Sequence, residues 1–182
     1  MNDLFCKLNK NFLIENYTVY DVQQQFGQEN NGEFLGIRYS NVDFKNKNDI
    51  MNIIPRAYHP CFFMTIMRVN TTIPPHTDSG IKSTINFYIK TDDCVTQFYK
   101  YKTNTPNKRQ IENQTNGYIF DKNDLEEVDS FFAKPTEAWV LNVSEPHSVI
   151  PKYEFKDRLA IALSSELDYN TVCDILKEEG HL

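Results

Sequence analysis

Short apolar runs bounded by turn formers dominate this sequence, and they predict a mainly β fold built as a sandwich or small barrel. Segments such as "FLGIRYS" and "CFFMTIMRV" are rich in β-branched and aromatic residues and too short for ordinary helices. "STINFYIK" alternates strictly, so Thr84, Asn86, Tyr88 and Lys90 share one face while Ile85, Phe87 and Ile89 share the other. Helical patterning is confined to the two ends of the chain.

Taken in order, residues 1–35 predict a helical N-terminal extension, with "FLIENYTVYDVQQQF" forming one or two pieces before Gly27. Strands follow over residues 36–165. "CVTQFYKY" comes just after the turn residues "KTDD" and predicts the hairpin partner of "STINFYIK". "KTNTPNKRQIENQTNG", residues 102–117, is polar and irregular and predicts a long loop; the 102–130 region is the natural candidate for a lid. "DKNDLEEVDSFFA" is compatible with a helical turn or with a strand. "EAWVLNVS" and "RLAIALSS" supply two further strands, with Trp139 assigned to the core, and "NTVCDILKEEGHL" predicts a short helix within the tail, residues 166–182.

A chain of 182 residues with 40% apolar content suits one domain with a sizeable core. No run approaches the roughly 20 apolar residues of a membrane-spanning helix. "MNDLFCKLNKNF" lacks the basic and apolar regions of a secretory signal, so a cytoplasmic protein is expected. Cys6, Cys61, Cys94 and Cys173 are scattered without a C-x-x-C pair and predict free thiols rather than a zinc site. The formal charge of −6, with no large basic cluster, argues against a nucleic-acid partner.

The chemistry concentrates in "TTIPPHTDSGIKSTINFYI". In an extended chain, His76 and Asp78 leave the same face and can grip one ion together. Pro75 disfavours helix at Pro74 and so biases the approach toward extension. A solvent-exposed turn is the plainer reading of this pair alone. His147, in "NVSEPHSVIP", is the best third ligand, because His59 belongs to the loop "RAYHPC" and His181 to the tail. Two histidines and one carboxylate on one side of a metal leave open positions, the arrangement of non-haem Fe(II) oxygenases.

Arg158 strengthens that reading. On "RLAIALSS" it shares a face with Ala160 and Ala162, while Leu159, Ile161 and Leu163 take the other. A guanidinium above two small residues leaves room for a carboxylate, which it can bind bidentately. The alternative is an edge-strand arginine pairing with Asp157 or Glu154 in water.

The run "IPPHTD…EAWVLNVSEPHSVIPKYEFKDRLAIAL" resembles the 2-oxoglutarate- and Fe(II)-dependent oxygenases, in particular their aspartyl/asparaginyl- and prolyl-hydroxylase-like branches. H-x-D, a long gap, a distal His and a later Arg occur in order between about Phe62 and Leu163. The resemblance implies a double-stranded β-helix (a jelly roll, cupin-like) with flanking helices at both termini. It implies His76, Asp78 and His147 as catalytic iron ligands and Arg158 as the clamp on the distal carboxylate of 2-oxoglutarate. It further implies O₂ as co-reactant, with succinate and CO₂ released as an amino acid, peptidyl side chain or other small metabolite is hydroxylated. Asn86 and Tyr88 are nominated as cosubstrate neighbours, with exposure on a polar sheet face as the alternative.

Two positions depart from the family. Ala160 stands where many relatives carry a small polar residue, so a second hydroxyl for the carboxylate must come from elsewhere, Thr65 or Tyr88. Pro151 stands where the hydroxylase branch often has Asn, which leaves the branch open. Two rivals stay in view: a jelly-roll module that binds metal or ligand without redox turnover, and a cupin-type metalloenzyme that does not use 2-oxoglutarate.

Overall fold

Thirteen strands, two α-helices and two 3₁₀ turns make up the computed structural model, which describes residues 2–30, 33–111, 117–151 and 157–182. The strands form two antiparallel sheets. The larger runs, in spatial order, β1 (Phe5–Lys7), β11 (Ala138–Asn142), β6 (Ser83–Lys90), β13 (Arg158–Ser165), β4 (Phe62–Val69), β3 (Glu33–Asp43) and β2 (Thr18–Asn30). The smaller runs β10 (Leu125–Phe132), β7 (Cys94–Tyr101), β12 (His147–Pro151), β5 (Ile73–Thr77), β9 (Tyr118–Phe120) and β8 (Lys108–Gln110). No helix among the described residues is long and apolar enough to cross a membrane.

The sheets pack face to face as a β-sandwich. Met67, Tyr88, Ala160 and Ala162 of the larger sheet share one apolar cluster with Ile73, Phe98, Phe131 and Val149 of the smaller. The outer face of the larger sheet carries Ile85, Phe87, Ile161 and Leu163, covered by helix α2 (Tyr169–Glu178), helix α1 (Lys47–Met51) and the segment bearing Leu8 and Phe12. The alternation of "STINFYIK" and "RLAIALSS" therefore divides each strand between two cores. The bulky face builds the outer core, and the face with Asn86, Tyr88, Arg158 and the two alanines looks into the sandwich. Truncating Phe87, which is fully buried, would cost about 3–5 kcal/mol.

The expected helical N-terminal extension over residues 1–35 does not form. That stretch holds β1 and β2, so the sheets span Phe5 to Ser165 rather than residues 36–165. The glutamine-rich run has fair helix propensity, but it offers no apolar stripe for a helix to bury. Val19, Tyr20 and Val22 instead suit a strand, and pairing along β3 wins. Gly27 faces Gly36 across that pair with φ of 148° and 156°. A Cβ at these positions would lie 2.1 Å from the Leu35 oxygen or 2.0 Å from the Phe26 oxygen, so the close crossing needs glycine on both strands.

The tail helix is present as α2, capped by the Asp168 side chain, which accepts a hydrogen bond from the Thr171 N–H. The hairpin expected between "STINFYIK" and "CVTQFYKY" is absent. β6 has β11 and β13 on its two edges, while β7 pairs with β10 and β12 in the other sheet. Asp92 and Asp93, both at positive φ, and a 2.9 Å bond from the Cys94 N–H to the Thr91 carbonyl turn the chain across the sandwich instead. The segment 102–130 is not all loop: it contains β8, β9, a 3₁₀ turn at Lys122–Asp124 and the start of β10, and residues 112–116 lie outside the described residues. "DKNDLEEVDSFFA" supplies both a helical turn and a strand.

Candidate metal centre

His76 and His147 come together because β5 and β12 are neighbours in which these two residues stand directly opposite each other. Opposed residues on antiparallel strands project to the same face about 5 Å apart. Their ring centroids lie 4.3 Å apart, inside the sandwich. Asp78 follows the end of β5, anchored by a 3.1 Å bond from its N–H to the Val143 carbonyl. Its Oδ1 is 3.5 Å from His76 Nε2. One ligand atom from each of His76, Asp78 and His147 lies within 4.8 Å of the others, so this set can hold a metal ion.

Each imidazole is aimed by its own chain. His76 donates from Nδ1 to the Pro74 carbonyl at 2.8 Å, and His147 donates from Nδ1 to the Glu145 carbonyl at 3.0 Å. Both acceptors sit two residues earlier, with a proline between, in "PPH" and "EPH". These bonds fix the tautomer that leaves Nε2 free to ligate. Burial, and then the neighbouring His76, push the His147 pKa down to about 4, so the ring is neutral at pH 7. Burial alone would raise Asp78, but the His76 hydrogen bond and attraction to both imidazoles outweigh it and hold the carboxyl below its ordinary range. His147 thus offers a neutral nitrogen and Asp78 an anionic oxygen.

Arg158 begins β13, a central strand between β4 and β6, and is only 2% exposed. Nη1 donates to Thr96 Oγ1 at 2.9 Å, Nη2 donates to the Tyr88 hydroxyl, and the guanidinium lies 4.8 Å from the Tyr88 ring centroid. Nε has no partner. Among the described residues no carboxylate pairs with Arg158; Asp157 pairs with Arg68 at 2.9 Å instead. The edge-strand reading with an Asp157 partner is thus excluded, and Glu154 lies outside the described residues. A buried cation that lacks a counter-ion costs several kcal/mol, so a guanidinium with no carboxylate partner among the described residues would be stabilised by an anion beside it.

A narrow cavity of about 40 Å³ is lined by Arg158, Thr96 and Asn86 together with His76, Asp78 and His147. It adjoins a larger cavity of about 370 Å³ that shares His76, Asp78, Tyr39 and Ser164. Asn86 and Tyr88 are both buried, not exposed on a polar face. Asn86 lines the narrow cavity and accepts from Thr84 Oγ1 at 3.4 Å. Thr65 does not line the narrow cavity with the guanidinium: it lines the larger cavity, 7% exposed, and its hydroxyl has no partner among the described residues.

Thr96 and Tyr39 are the site residues that the sequence reading misses. Thr96 shares an inward face with Cys94 and Phe98, a pattern visible in "CVTQF" once β7 is freed from β6. Tyr39 lines both cavities; burial and the Asp78 charge push its phenol far above the ordinary value, so it stays protonated. His59 bonds the Ile54 carbonyl at 2.8 Å, and Trp139 stacks on Phe131 at 4.2 Å, half-buried rather than central. The four cysteines are free thiols, with Cys6 and Cys173 sulfurs 3.5 Å apart.

No model of a known protein family matches this chain, and no curated protein matches it in sequence. Three convergent ligand atoms and a guanidinium with no carboxylate partner among the described residues line a single cavity.

Proposed function

We propose that the protein is a 2-oxoglutarate- and Fe(II)-dependent dioxygenase that hydroxylates an amino acid, peptidyl side chain or other small molecule on a jelly-roll scaffold. The observation that carries this reading is Arg158: a buried cation with an orphaned Nε, facing the same cavity as two histidines and a carboxylate. The donor set suits a divalent first-row metal that keeps open positions. Consecutive strands β4 to β7 and β11 to β13 alternate between the two sheets, which supports the double-stranded β-helix.

When bound, Fe(II) and 2-oxoglutarate supply the oxidising chemistry, consuming O₂ and releasing succinate and CO₂. The chain's own residues do the rest. His76 and His147 present Nε2 while their Nδ1–H groups stay engaged with backbone carbonyls, and Asp78 contributes the anionic oxygen. Arg158 receives the far carboxylate of the diacid, with Tyr88 and Thr96 holding the guanidinium in place. The apolar strands around them exclude water and strengthen each of these charge contacts.

The test is anaerobic addition of Fe(II) and 2-oxoglutarate, followed by the weak visible charge-transfer band, with succinate release on admitting O₂. The wild type is expected to give both, and His147→Ala neither. Metal binding without the band would favour a cupin-type enzyme or a non-redox binding module.

A further inference from the structure

We propose that the larger cavity is a substrate site for an uncharged segment of polypeptide chain, entered by one neutral side chain, and not for a free amino acid. This rests on the dioxygenase reading above and names its substrate class. Three observations carry it.

First, among the described lining residues Asp78 is the only carboxylate and no Lys or Arg is present. A free amino acid would bring a carboxylate that meets no cation among the described lining residues, and an ammonium that meets only Asp78, which the metal would engage. The mouth of the cavity, at Gln23, Gln24 and Asn41, is open to water, but at its inner end, beside the buried Thr65 and His76, each unpaired charge costs several kcal/mol to desolvate. The one guanidinium nearby lies in the narrow cavity, where the diacid would occupy it. Second, the polar groups that are present match amides. Gln23, Gln24 and Asn41 each offer a donor and an acceptor, as a peptide unit does. The buried Thr65 hydroxyl lines the same space without a partner among the described residues. Apolar side chains including Phe63 and Ile111 complete the lining, and about 370 Å³ accommodates one side chain with its flanking backbone.

Third, Gln23 and Gln24 belong to β2, the terminal strand of its sheet, which among the described residues pairs with β3 alone. Its outer edge can accept an extended chain as an added strand. The register of β2 shifts between Val19 and Val22 and again between Val22 and Gln24, irregularities of the kind that re-aim side chains beside a site.

The test compares capped peptides, which lack terminal charges, with the free amino acids that carry them. Acetyl-Gly-Xaa-Gly-amide peptides, with Xaa as Asn, Gln, Pro, Leu or Ser, are set against the same five free amino acids. Each is added to the anaerobic Fe(II)–2-oxoglutarate protein, and the visible band and then succinate release are recorded. At least one capped peptide is expected to perturb the band and to exceed its free amino acid by about 100-fold or more in kcat/KM. Thr65→Val is expected to raise KM for that peptide about tenfold while keeping or raising the ligand-free Tm, and Thr65→Ser to restore KM. A band that responds to free amino acids and not to the capped set overturns this inference and leaves the dioxygenase reading standing. A band that forms but responds to neither set also overturns it. Failure to form the band overturns the parent reading and this inference together.

Discussion

Replacing Arg158 with Met keeps most of the side-chain volume and removes the one cation that lines the narrow cavity among the described residues. The guanidinium is 2% exposed and lacks a carboxylate partner among the described residues, so a bound diacid would pair with it out of reach of water. At a separation near 4 Å and an effective dielectric constant near 20, the attraction is about 4 kcal/mol. Removing one partner of a buried ion pair typically costs about 3–5 kcal/mol. The dissociation constant for 2-oxoglutarate should therefore rise roughly a hundredfold to a few thousandfold. Arg158→Lys should fall between the wild type and Arg158→Met, since an ammonium keeps the charge but loses the planar fork. The assay is titration of 2-oxoglutarate into the anaerobic Fe(II) protein, read by the visible band and independently by thermal shift. At a ligand concentration about 1,000 times the wild-type dissociation constant, wild type gains about 4 kcal/mol of apparent stability and Arg158→Met about 1.4 kcal/mol or less. A dissociation constant for Arg158→Met within about threefold of wild type would refute the clamp, because no buried charge pair could be lost so cheaply.

Gly36→Ala places a Cβ 2.0 Å from the Phe26 carbonyl oxygen, so the β2–β3 pair must open; a loss of about 3 kcal/mol and a Tm drop of roughly 6–12 °C are expected by calorimetry. Glu137 accepts from Lys7, the Lys134 N–H and Trp139 Nε1; burial opposes its ionisation, but these contacts prevail and hold it below its ordinary value of 4.5. Its folded-state pKa is depressed, so its stabilisation is present above pH 4.5 and fades as pH falls through the folded value. Glu137→Gln should thus cost about 1.5–3 kcal/mol at pH 7 in urea unfolding, with the gap closing in acid; a gap that widens in acid would contradict the assignment. The Cys6 thiol is lowered to about 7, first by its hydrogen bond with Cys173, whereas burial pushes Cys94 up to about 11. Iodoacetamide labelling followed by peptide mass spectrometry should mark Cys6 well before Cys94 at pH 7.5, and Cys173→Ala should move the Cys6 inflection upward.

The site was more legible than the sheet order. Alternation in "RLAIALSS" correctly divides Arg158, Ala160 and Ala162 from Leu159, Ile161 and Leu163, because a strand's period survives whichever neighbours it acquires. The convergence of His76, Asp78 and His147 was likewise readable from residue type and from extension behind proline. Pairing partners were not readable. "STINFYIK" and "CVTQFYKY" look like a hairpin locally, yet each finds better neighbours distant in sequence, and Thr96 was hidden by that misassignment. The glutamine run of β2 failed for a related reason: its residues are mostly exposed, so no buried face marks its period, and only pairing with β3 determines its state.

The two proline–histidine steps have a consequence beyond this protein. Each ring is steered by a carbonyl of its own tripeptide, so aiming it demands nothing from remote side chains. What the rest of the molecule contributes is the juxtaposition of two strands at a chosen rung. Grafting "PPHTD" and "EPH" onto facing rungs of an unrelated antiparallel ribbon should carry nickel or cobalt affinity with them, as a portable clip that needs correct register and one backbone carbonyl to hold the Asp78 N–H.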